Sequence, residues 1–250
     1  MIKLNNLSYY KNFSFLVCRH GQSIWNKENK FTGWSDISLS NKGKMDAFIM
    51  SNILKENKLI PTKIYTSDTK RTIETADIIN KSLTLNLDIE SSWKLNEKHY
   101  GGCEGIDRKI VEKRYGSVYL DFIRKNYLVR PPSLDDINSY RLKNSFGNDL
   151  NDKSKKLYYK NNNLEDLGEN CLMVNERVNN YFYYNILKKP SNNYLPLIIT
   201  HKHPIRVLCK DFLNLNNEDF EELDFDNKTI LLLNSLNGKI SLKKLNLKLN

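Results

Sequence analysis

Residues 13–22 read FSFLVCRHGQ, an almost unbroken apolar run that is followed at once by arginine, histidine and glycine. A short, continuous apolar run is typical of a strand buried on both faces, as in a parallel sheet. The glycine-bearing turn ends the strand, so Arg19 and His20 are expected at its carboxyl end. In an open α/β sheet, ligands bind along this edge.

Further strand and helix patterns alternate along the chain. Strands are predicted at 63–66, 195–200 and 230–233, and helices at 40–55, 69–81 and about 205–213. The alternation predicts βαβ crossovers and therefore an α/β three-layer sandwich, in which helices flank a mostly parallel sheet.

Two details of the predicted helices can be compared with the structure. Ser40 and Asp68 are expected to cap the helices that follow them, because their side chains can accept from free N–H groups of the first turn. The helix at 40–55 is expected to turn one face inward, formed by Met45, Phe48, Ile49, Asn52 and Ile53.

The middle of the chain has a different character. Residues 93–167 lack strand signals and are rich in Asn, Lys and Tyr, and residues 148–163 approach low complexity. We expect a helical and loop insertion, in part mobile, over the active site of a single domain that covers 13–250. Residues 1–12 are predicted to form a short N-terminal extension.

Bulk composition narrows the class of protein only partly. Lys and Arg outnumber Asp and Glu by 39 to 29, a formal charge of +10, which favours anionic partners. A general lysine and asparagine bias explains the excess equally well. The chain lacks both the aromatic-basic patterns of nucleic-acid binding and the roughly 20 apolar residues of a membrane span. We therefore expect neither nucleic acid nor membrane as partner.

The four cysteines are far apart and form no C-x-x-C pair. Without a secretory signal, this spacing indicates reduced thiols of a cytoplasmic protein rather than a disulfide framework or a zinc site.

The placement of two histidines gives the strongest chemical signal. His20 follows the first predicted strand, His201 follows the third, and Arg71 lies in the first turn of a helix, where N–H groups also favour anions. Each residue alone is more often structural. Together they predict a pocket in which a neutral imidazole attacks phosphorus and arginines offset the charge of the phosphoryl oxygens.

Residues 16–36, LVCRHGQSIWNKENKFTGWSD, resemble the opening of the cofactor-dependent phosphoglycerate mutases, a family of the histidine phosphatase superfamily. YTSDTKRT at 65–72 and WKLNEKHYGG at 93–102 are similar to two further mutase segments. The resemblance covers about 15–125 well, 195–215 moderately and the rest poorly. It implies a phosphoglycerate mutase-like fold.

The resemblance also implies roles for individual residues. His20 would be the phosphorylated nucleophile, and Arg19, Arg71 and His201 would bind and stabilise the transferring phosphoryl group. Glu97 would exchange protons with the leaving and attacking oxygens, with a pKa that burial raises towards neutrality. Substrate contacts are implied for Ser23, Asn26, Thr32, Gly33, Tyr100, Arg108, Arg124 and Lys125.

The implied activity is that of a glycolytic isomerase that interconverts 3-phosphoglycerate and 2-phosphoglycerate through phosphohistidine. Its partner would be a small phosphorylated substrate, its cofactor the primer 2,3-bisphosphoglycerate, and no metal is needed because arginines and histidines neutralise the charge. Two alternatives remain: a phosphatase of the same superfamily, and an inactive phosphate-binding protein. A homodimer or homotetramer is the expected assembly.

The chain departs from the mutase pattern in two places. After His201 it reads KHPIR at 202–206, where mutases have Gly-Asn-Ser-Leu-Arg. The side chain of Lys202, in place of the glycine, could obstruct the approach of the phosphate to the backbone. Lys202 and His203 would either add positive charge to the pocket or point to solvent. Residues 224–230 replace a Pro-Thr-Gly turn, and no glycine-bearing tail follows. A site less guarded from water favours the phosphatase alternative.

Overall fold

One six-stranded sheet organises the chain in the computed structural model, which describes residues 12–131, 152–162, 164–187 and 193–247. The predictions for residues 1–11 and 148–151 lie outside these ranges. The strands are β1 (Asn12–Arg19), β2 (Lys63–Thr66), β3 (Ile89–Ser91), β4 (Pro196–Thr200), β5 (Ile230–Leu236) and β6 (Lys239–Leu245).

The sheet has the order β3-β2-β4-β1-β5-β6. The first four strands in the chain are mutually parallel, whereas β5 is antiparallel to β1 and β6 is antiparallel to β5. The sheet is therefore mixed, with a parallel centre, and the prediction of a mostly parallel sheet is confirmed.

Helices cover both faces of the sheet. They are α1 (Ile24–Lys27), α2 (Asn41–Glu56), α3 (Lys70–Ser82), α4 (Arg108–Tyr115), α5 (Ser117–Lys125), α6 (Lys153–Asn161), α7 (Leu164–Leu167), α8 (Cys171–Tyr181), α9 (Lys202–Leu213) and α10 (Asn217–Glu222). Alternate residues of β1 point to opposite layers, so Phe15 packs in the core with α8 and α9 and Leu16 in the core with α2 and α3. This arrangement is the predicted three-layer sandwich.

Helix α2 turns only part of the expected face inward: Ile53 is buried and Ile49 packs against the core, as predicted. Met45 and Phe48 are exposed, and the buried stripe runs through Gly43, Ala47 and Ser51. A Cβ on Gly43 would lie 2.0 Å from the carbonyl oxygen of Gln22, so the helix must present its small residues to the loop after His20. The close contact at Gly43 thus brings small residues to the buried side at the start of the helix, while Met50, Ile53 and Leu54 bury their apolar side chains in its second half.

The two predicted caps had different outcomes. Ser40 Oγ accepts from the Gly43 N–H at 3.1 Å, so this cap is confirmed. Asp68 does not cap α3. Its carboxylate pairs with Lys155 at 2.5 Å, and Asp36 from a distant loop accepts from the Lys70 N–H at 2.7 Å. The first turn of α3 is therefore capped by Asp36, which is distant in sequence, and not by the neighbouring Asp68.

Two strands were missed. β3 lies at the sheet edge and has three residues. A strand this short does not give a recognisable apolar pattern in the sequence. β6 is the Lys- and Leu-rich segment near the C-terminus, joined to β5 by Asn237 and Gly238. Both turn residues have positive φ, at 51° and 80°, which is the geometry of a type I′ hairpin. The Asn237-Gly238 pair is the sequence signal that could have predicted this hairpin.

The predicted insertion is helical where it is described. Within the described part of 93–167, four helices, α4 to α7, occur and no strand. In α6, which occupies most of the low-complexity segment, the Tyr158 ring packs 5.1 Å from that of Trp93 and 6.4 Å from that of Trp34, centre to centre. Residues 152–162 therefore form a packed helix. No helix among the described residues is long and apolar enough to cross a membrane.

The contact at Gly43 gives a test of the fold. Alanine in place of an exposed helical glycine stabilises by about 1 kcal/mol, but Gly43→Ala forces a methyl against the Gln22 carbonyl and is expected to destabilise by roughly 1–3 kcal/mol. Urea denaturation measures the change, with Lys42→Ala on the exposed side of α2 as control. A more stable Gly43→Ala protein would contradict the described contact.

Candidate functional site

β1 places His20 at the carboxyl edge of the sheet. The His20 backbone N–H donates to the carbonyl of Thr200 at 3.0 Å, and the side chain is 3% exposed. Nδ1 lies 2.6 Å from the carbonyl oxygen of Gly21. Because a carbonyl only accepts hydrogen bonds, Nδ1 carries the proton and the lone pair is on Nε2. The ring is thus set up as a nucleophile through Nε2.

β4 brings the second histidine beside the first. The ring centres of His20 and His201 are 4.9 Å apart, and the two planes meet at 66°. Nε2 of His201 lies 2.8 Å from the Ser67 hydroxyl oxygen, whereas its buried Nδ1 has no hydrogen-bond partner among the described residues. Nδ1 is therefore available to a ligand placed near His20.

Two arginines complete the centre of the site. Arg71 is 1% exposed and donates through its two Nη atoms to the carbonyls of Ser35 and Gly33, at 2.8 and 2.7 Å. Arg19 Nη1 donates to the carbonyl of Phe225 at 2.8 Å. The carbonyl contacts fix both guanidinium groups but neutralise neither charge.

Glu104 holds the loop that positions Arg71. Its carboxylate accepts from the backbone N–H groups of Trp34 and Ser35, at 3.0 and 3.1 Å, and from the Ser35 hydroxyl at 2.9 Å. Gly33 adopts a φ of +53°, and a Cβ there would lie 1.8 Å from Glu104 Oε1. A glycine is therefore required at 33. The sequence carried no signal that distinguished Glu104 from a surface acid.

The loop that carries Glu97 is also held by a buried ion pair. Arg177 and Glu169 make two hydrogen bonds to each other, at 2.7 and 2.8 Å. The same guanidinium donates to the carbonyls of Lys94, Asn96 and Glu97 at 2.8–2.9 Å. Sequence patterns did not indicate this pair, because its members approach Glu97 only through the tertiary fold.

The electrostatics favour neutral histidines. Burial, followed by the positive charges of Arg71 and Arg19, lowers the pKa of His20 well below its ordinary value. Burial and Arg71 likewise lower the pKa of His201 well below its ordinary value. Since an imidazole must be neutral to act as a nucleophile, the cationic surroundings keep His20 reactive at neutral pH.

The pKa of Glu97 differs from the one expected from the sequence. Burial raises its pKa, but the interaction with His203, the proximity of His201 and the Lys98 backbone N–H outweigh burial and hold the pKa well below its ordinary value. The expected rise towards neutrality is wrong, because the pocket around the carboxyl is polar rather than apolar. Glu97 is therefore a carboxylate at neutral pH.

A cavity of about 720 Å³ opens over these groups. Of the fourteen residues predicted for the site, thirteen line it: Arg19, His20, Asn26, Thr32, Gly33, Arg71, Glu97, Tyr100, Arg108, Arg124, Lys125, His201 and Lys202. Ser23 is the exception. It is fully buried and caps α1, where its hydroxyl accepts from the Asn26 N–H at 3.1 Å.

The cavity wall contains further residues that were not predicted as substrate contacts, although His203 was expected either to add positive charge to the pocket or to face solvent. They are His203, Arg206, Glu221, Glu222, Leu223, Asp224, Phe225, Asp226, Asn227 and Lys244. Lys202, which could have obstructed the site, instead pairs with Asp224 at 2.5 Å. Glu221 and Glu222 end α10, and residues 223–227 follow it in a stretch without regular pattern, so their position depends on the tertiary structure.

Several buried polar atoms in the cavity wall have no hydrogen-bond partner among the described residues. They are Arg19 Nε, Thr32 Oγ1, Arg71 Nε, Arg108 Nε and His201 Nδ1. Unpaired buried donors are costly, so a concentration of them in one cavity indicates a ligand rich in acceptor oxygens. A phosphoryl group is such a ligand.

The described residues contain no group of three or more His, Cys, Asp and Glu side chains that could hold a metal ion. Arginine and lysine side chains supply positive charge along the cavity wall. Fold and site together define an α/β protein with two adjacent neutral histidines at the sheet edge, beneath a cationic cavity.

Comparisons with known proteins agree with this description. The family model of the histidine phosphatase superfamily (branch 1) matches residues 15–145 and 141–248. The chain is 35% identical over 215 residues to the 2,3-bisphosphoglycerate-dependent phosphoglycerate mutase of Buchnera aphidicola subsp. Cinara cedri (strain Cc). The aligned region covers 86% of this chain and 90% of that protein. The chain belongs to the phosphoglycerate mutase family of the histidine phosphatase superfamily.

Solved structures show the same fold. A phosphoglycerate mutase from Bacillus anthracis str. Sterne superposes with a TM-score of 0.64 at 19% identity, over 94% of this chain and 92% of that one. A mycobacterial glucosyl-3-phosphoglycerate phosphatase gives a TM-score of 0.65 at 18% identity, over 93% of this chain and 97% of that one. The fold alone is therefore compatible with either activity.

The lowered histidine pKa values predict a protein that is sensitive to acid. Burial also lowers the pKa of His99. Below about pH 6.5 the unfolded chain binds protons that His20, His99 and His201 in the folded chain do not bind, so stability falls as pH falls, by up to about 1.4 kcal/mol per pH unit for each group. Urea denaturation at pH 7.5 and 5.5 measures this, and His201→Asn should show a shallower dependence. Equal stability at both values would contradict the assignment of buried, neutral histidines.

Proposed function

We propose that the protein is a 2,3-bisphosphoglycerate-dependent phosphoglycerate mutase, an isomerase that interconverts 3-phosphoglycerate and 2-phosphoglycerate in glycolysis. The observation that carries the proposal is the orientation of His20, whose unprotonated Nε2 lies next to His201 in a buried cationic cavity. The identity to a named mutase over most of both chains supports the substrate assignment.

His20 is the proposed nucleophile. Its Nε2 lone pair attacks phosphorus, an N–P bond forms, and the bond between phosphorus and the leaving oxygen breaks. The hydrogen bond from Nδ1–H to the Gly21 carbonyl stabilises the positive charge that develops on the ring, and the burial of the site restricts attack by water.

Arg19, Arg71 and His201 are the proposed stabilisers of the transferring group. Their unpaired nitrogens are donors for the equatorial oxygens, which gain charge in the transition state. His201 fits this role as a neutral ring if Nε2 accepts from the Ser67 hydroxyl, because Nδ1 then carries the proton and donates it towards the phosphoryl oxygen.

Glu97 is the proposed acid and base. All hydrogen bonds to its carboxyl from the described residues reach Oε1, so Oε2 is left for the substrate. In the transfer from His20 to an acceptor, Oε2 takes the proton of the attacking hydroxyl. In the reverse transfer the same proton goes to the leaving oxygen.

The primer fits the cavity by charge. Eight cationic side chains line it against five carboxylates, so the wall favours a polyanion of the size of a bisphosphorylated three-carbon acid. When bound, 2,3-bisphosphoglycerate supplies the phosphoryl group that loads His20. Contacts to the rest of the substrate are proposed for Asn26, Thr32, Gly33, Tyr100, Arg108, Arg124, Lys125 and Lys202.

Hydrolysis is a second candidate activity, favoured by the path of the C-terminal segment. Residues 239–245 form the edge strand β6, and of this strand Lys244 alone lines the cavity. Less cover over phosphohistidine would let water act as the acceptor. An inactive binding protein loses its main support, because Lys202 pairs with Asp224 and leaves the cavity open.

Location and assembly belong to the same proposal. Cytoplasmic residence is supported by the four cysteines, which are buried and free of disulfides. A homodimer or homotetramer is proposed from the family resemblance, and sedimentation velocity distinguishes the two.

Mutase turnover with and without 2,3-bisphosphoglycerate decides between the two activities. We expect isomerisation of 3-phosphoglycerate that depends on the primer and is not altered by a chelator. Release of inorganic phosphate without isomerisation, independent of the primer, would establish the phosphatase instead.

Variants test the individual roles. His20→Ala should abolish transfer, and His201→Ala and Arg71→Ala should each lower kcat roughly 10²- to 10³-fold, because each removes one stabilising group from a site secluded from water. Arg114→Ala, at an exposed position on α4, is the control. Near-normal turnover of His201→Ala or Arg71→Ala would be incompatible with the proposed roles.

A further inference from the structure

His203 makes an unusual set of contacts in the first turn of α9. It is 3% exposed, and its Nδ1 lies 2.9 Å from Glu97 Oε1. Its backbone N–H donates to the same oxygen at 3.2 Å. On the other side of the ring, Nε2 lies 2.8 Å from the carbonyl oxygen of Arg124 on α5. His203 thus connects the carboxyl of Glu97 to the insertion.

The chemistry of the partners restricts the protons on this ring. A carboxylate only accepts, so Nδ1 carries a proton whenever Glu97 is ionised. The Arg124 carbonyl also only accepts and therefore favours a second proton on Nε2. Burial opposes that charge and lowers the pKa of His203 to about 4, while Glu97 acts in the opposite direction. In either state, Nδ1–H is a donor to Glu97.

His203 supplies most of the hydrogen bonds that hold the Glu97 carboxyl. Of the three hydrogen bonds to Oε1, His203 supplies two and the Lys98 backbone the third, at 2.8 Å. These contacts all reach Oε1, and Oε2 of this cavity-lining residue receives no hydrogen bond from the described residues. The other titratable or charged groups around the pair are His20, His201, Arg206, Arg124, Lys98, Tyr100, Arg19, Arg71, Arg108, Arg177 and Cys171.

We propose that His203 is a positioning residue for Glu97, and that a carboxyl–imidazole pair rather than a lone carboxyl performs the acid–base chemistry of this site. The inference rests on the proposed function of Glu97 and adds a residue that the family resemblance did not assign, since the mutase pattern has asparagine at this position.

The pair matches a resting enzyme that is phosphorylated on His20. The attacking hydroxyl then needs a base, and His203 keeps Glu97 ionised by donating to Oε1. As the oxygen–phosphorus bond forms and the N–P bond of His20 breaks, the hydroxyl proton moves to Oε2. When a phosphoryl group returns to His20, the leaving oxygen takes that proton back. The proton on Nδ1 stays in place throughout, and its hydrogen bond strengthens whenever Glu97 is ionised.

Two matched variants separate the contacts of His203. The amide nitrogen of asparagine reaches about the position of Nδ1, so His203→Asn keeps a donor to Glu97 and loses the contact to Arg124. The amide nitrogen of glutamine reaches about the position of Nε2, so His203→Gln keeps the Arg124 contact and loses the Glu97 contact. Both variants preserve the backbone N–H and differ by one methylene group.

We expect His203→Gln to lower kcat roughly 10- to 100-fold, the effect of losing a hydrogen bond to a charged group, with little change in KM. His203→Asn should retain most of the wild-type kcat. The loss of the donor raises the pKa of Glu97, so the acidic limb of the kcat/KM profile should move to higher pH in His203→Gln. A purely structural role would lower turnover without moving that limb. Thermal unfolding of both variants checks that they fold.

The outcomes distinguish this inference from the proposed function. An active wild type together with equal kcat values for the two variants, a stronger effect of His203→Asn, or an unmoved acidic limb would overturn the role of His203 alone. A wild type that neither isomerises nor hydrolyses phosphoglycerates, and does not load His20 from the primer, would overturn the proposed function, and the role of His203 with it.

Discussion

The site depends on one hydrogen bond, from Nδ1 of His20 to the carbonyl of the next residue, Gly21. It fixes the tautomer, and so it leaves the lone pair on Nε2. Burial and two arginines keep the ring neutral, so the same cations serve two purposes: they prevent protonation of Nε2 before transfer and stabilise the phosphoryl oxygens during it. The cationic cavity is therefore a condition for the reactivity of His20 as well as a binding surface.

The rest of the fold maintains that geometry at some distance. Gly43 of α2 allows the loop after His20 to lie against the helix, and a Cβ on Gly21 would approach the Gly43 carbonyl to 2.1 Å. Glu104 holds the loop whose carbonyls fix Arg71, and Arg177 holds the backbone of the segment with Glu97. Arg71 and the segment with Glu97 are thus held by contacts from other parts of the chain, a form of preorganisation that costs no rearrangement during the reaction.

Local sequence patterns predicted the sheet and its carboxyl edge, because apolar runs and the polar residues that end them depend only on neighbours in sequence. The apolar run at 13–18, the histidines after two strands and the helix start at Arg71 sufficed to place His20, His201 and Arg71 together, and the family resemblance placed Glu97. The expected burial of Met45 and Phe48 on α2, the expected cap of α3 and the expected rise in the pKa of Glu97 were wrong, because Gly43, Asp36 and His203 act through contacts between segments distant in sequence. Ser23 matched a substrate position but caps α1. β6 was missed although Asn237 and Gly238 carried its turn signal.

The position of the phosphoryl group on the His20 ring tests the account most directly. The protein can be loaded with 2,3-bisphosphoglycerate, quenched and digested under alkaline conditions that preserve phosphohistidine, and the isomer identified by ³¹P NMR. The account predicts phosphorylation of His20 at Nε2, because Nδ1 is protonated and bonded to Gly21. Phosphate on Nδ1, or on a residue other than His20, would contradict it.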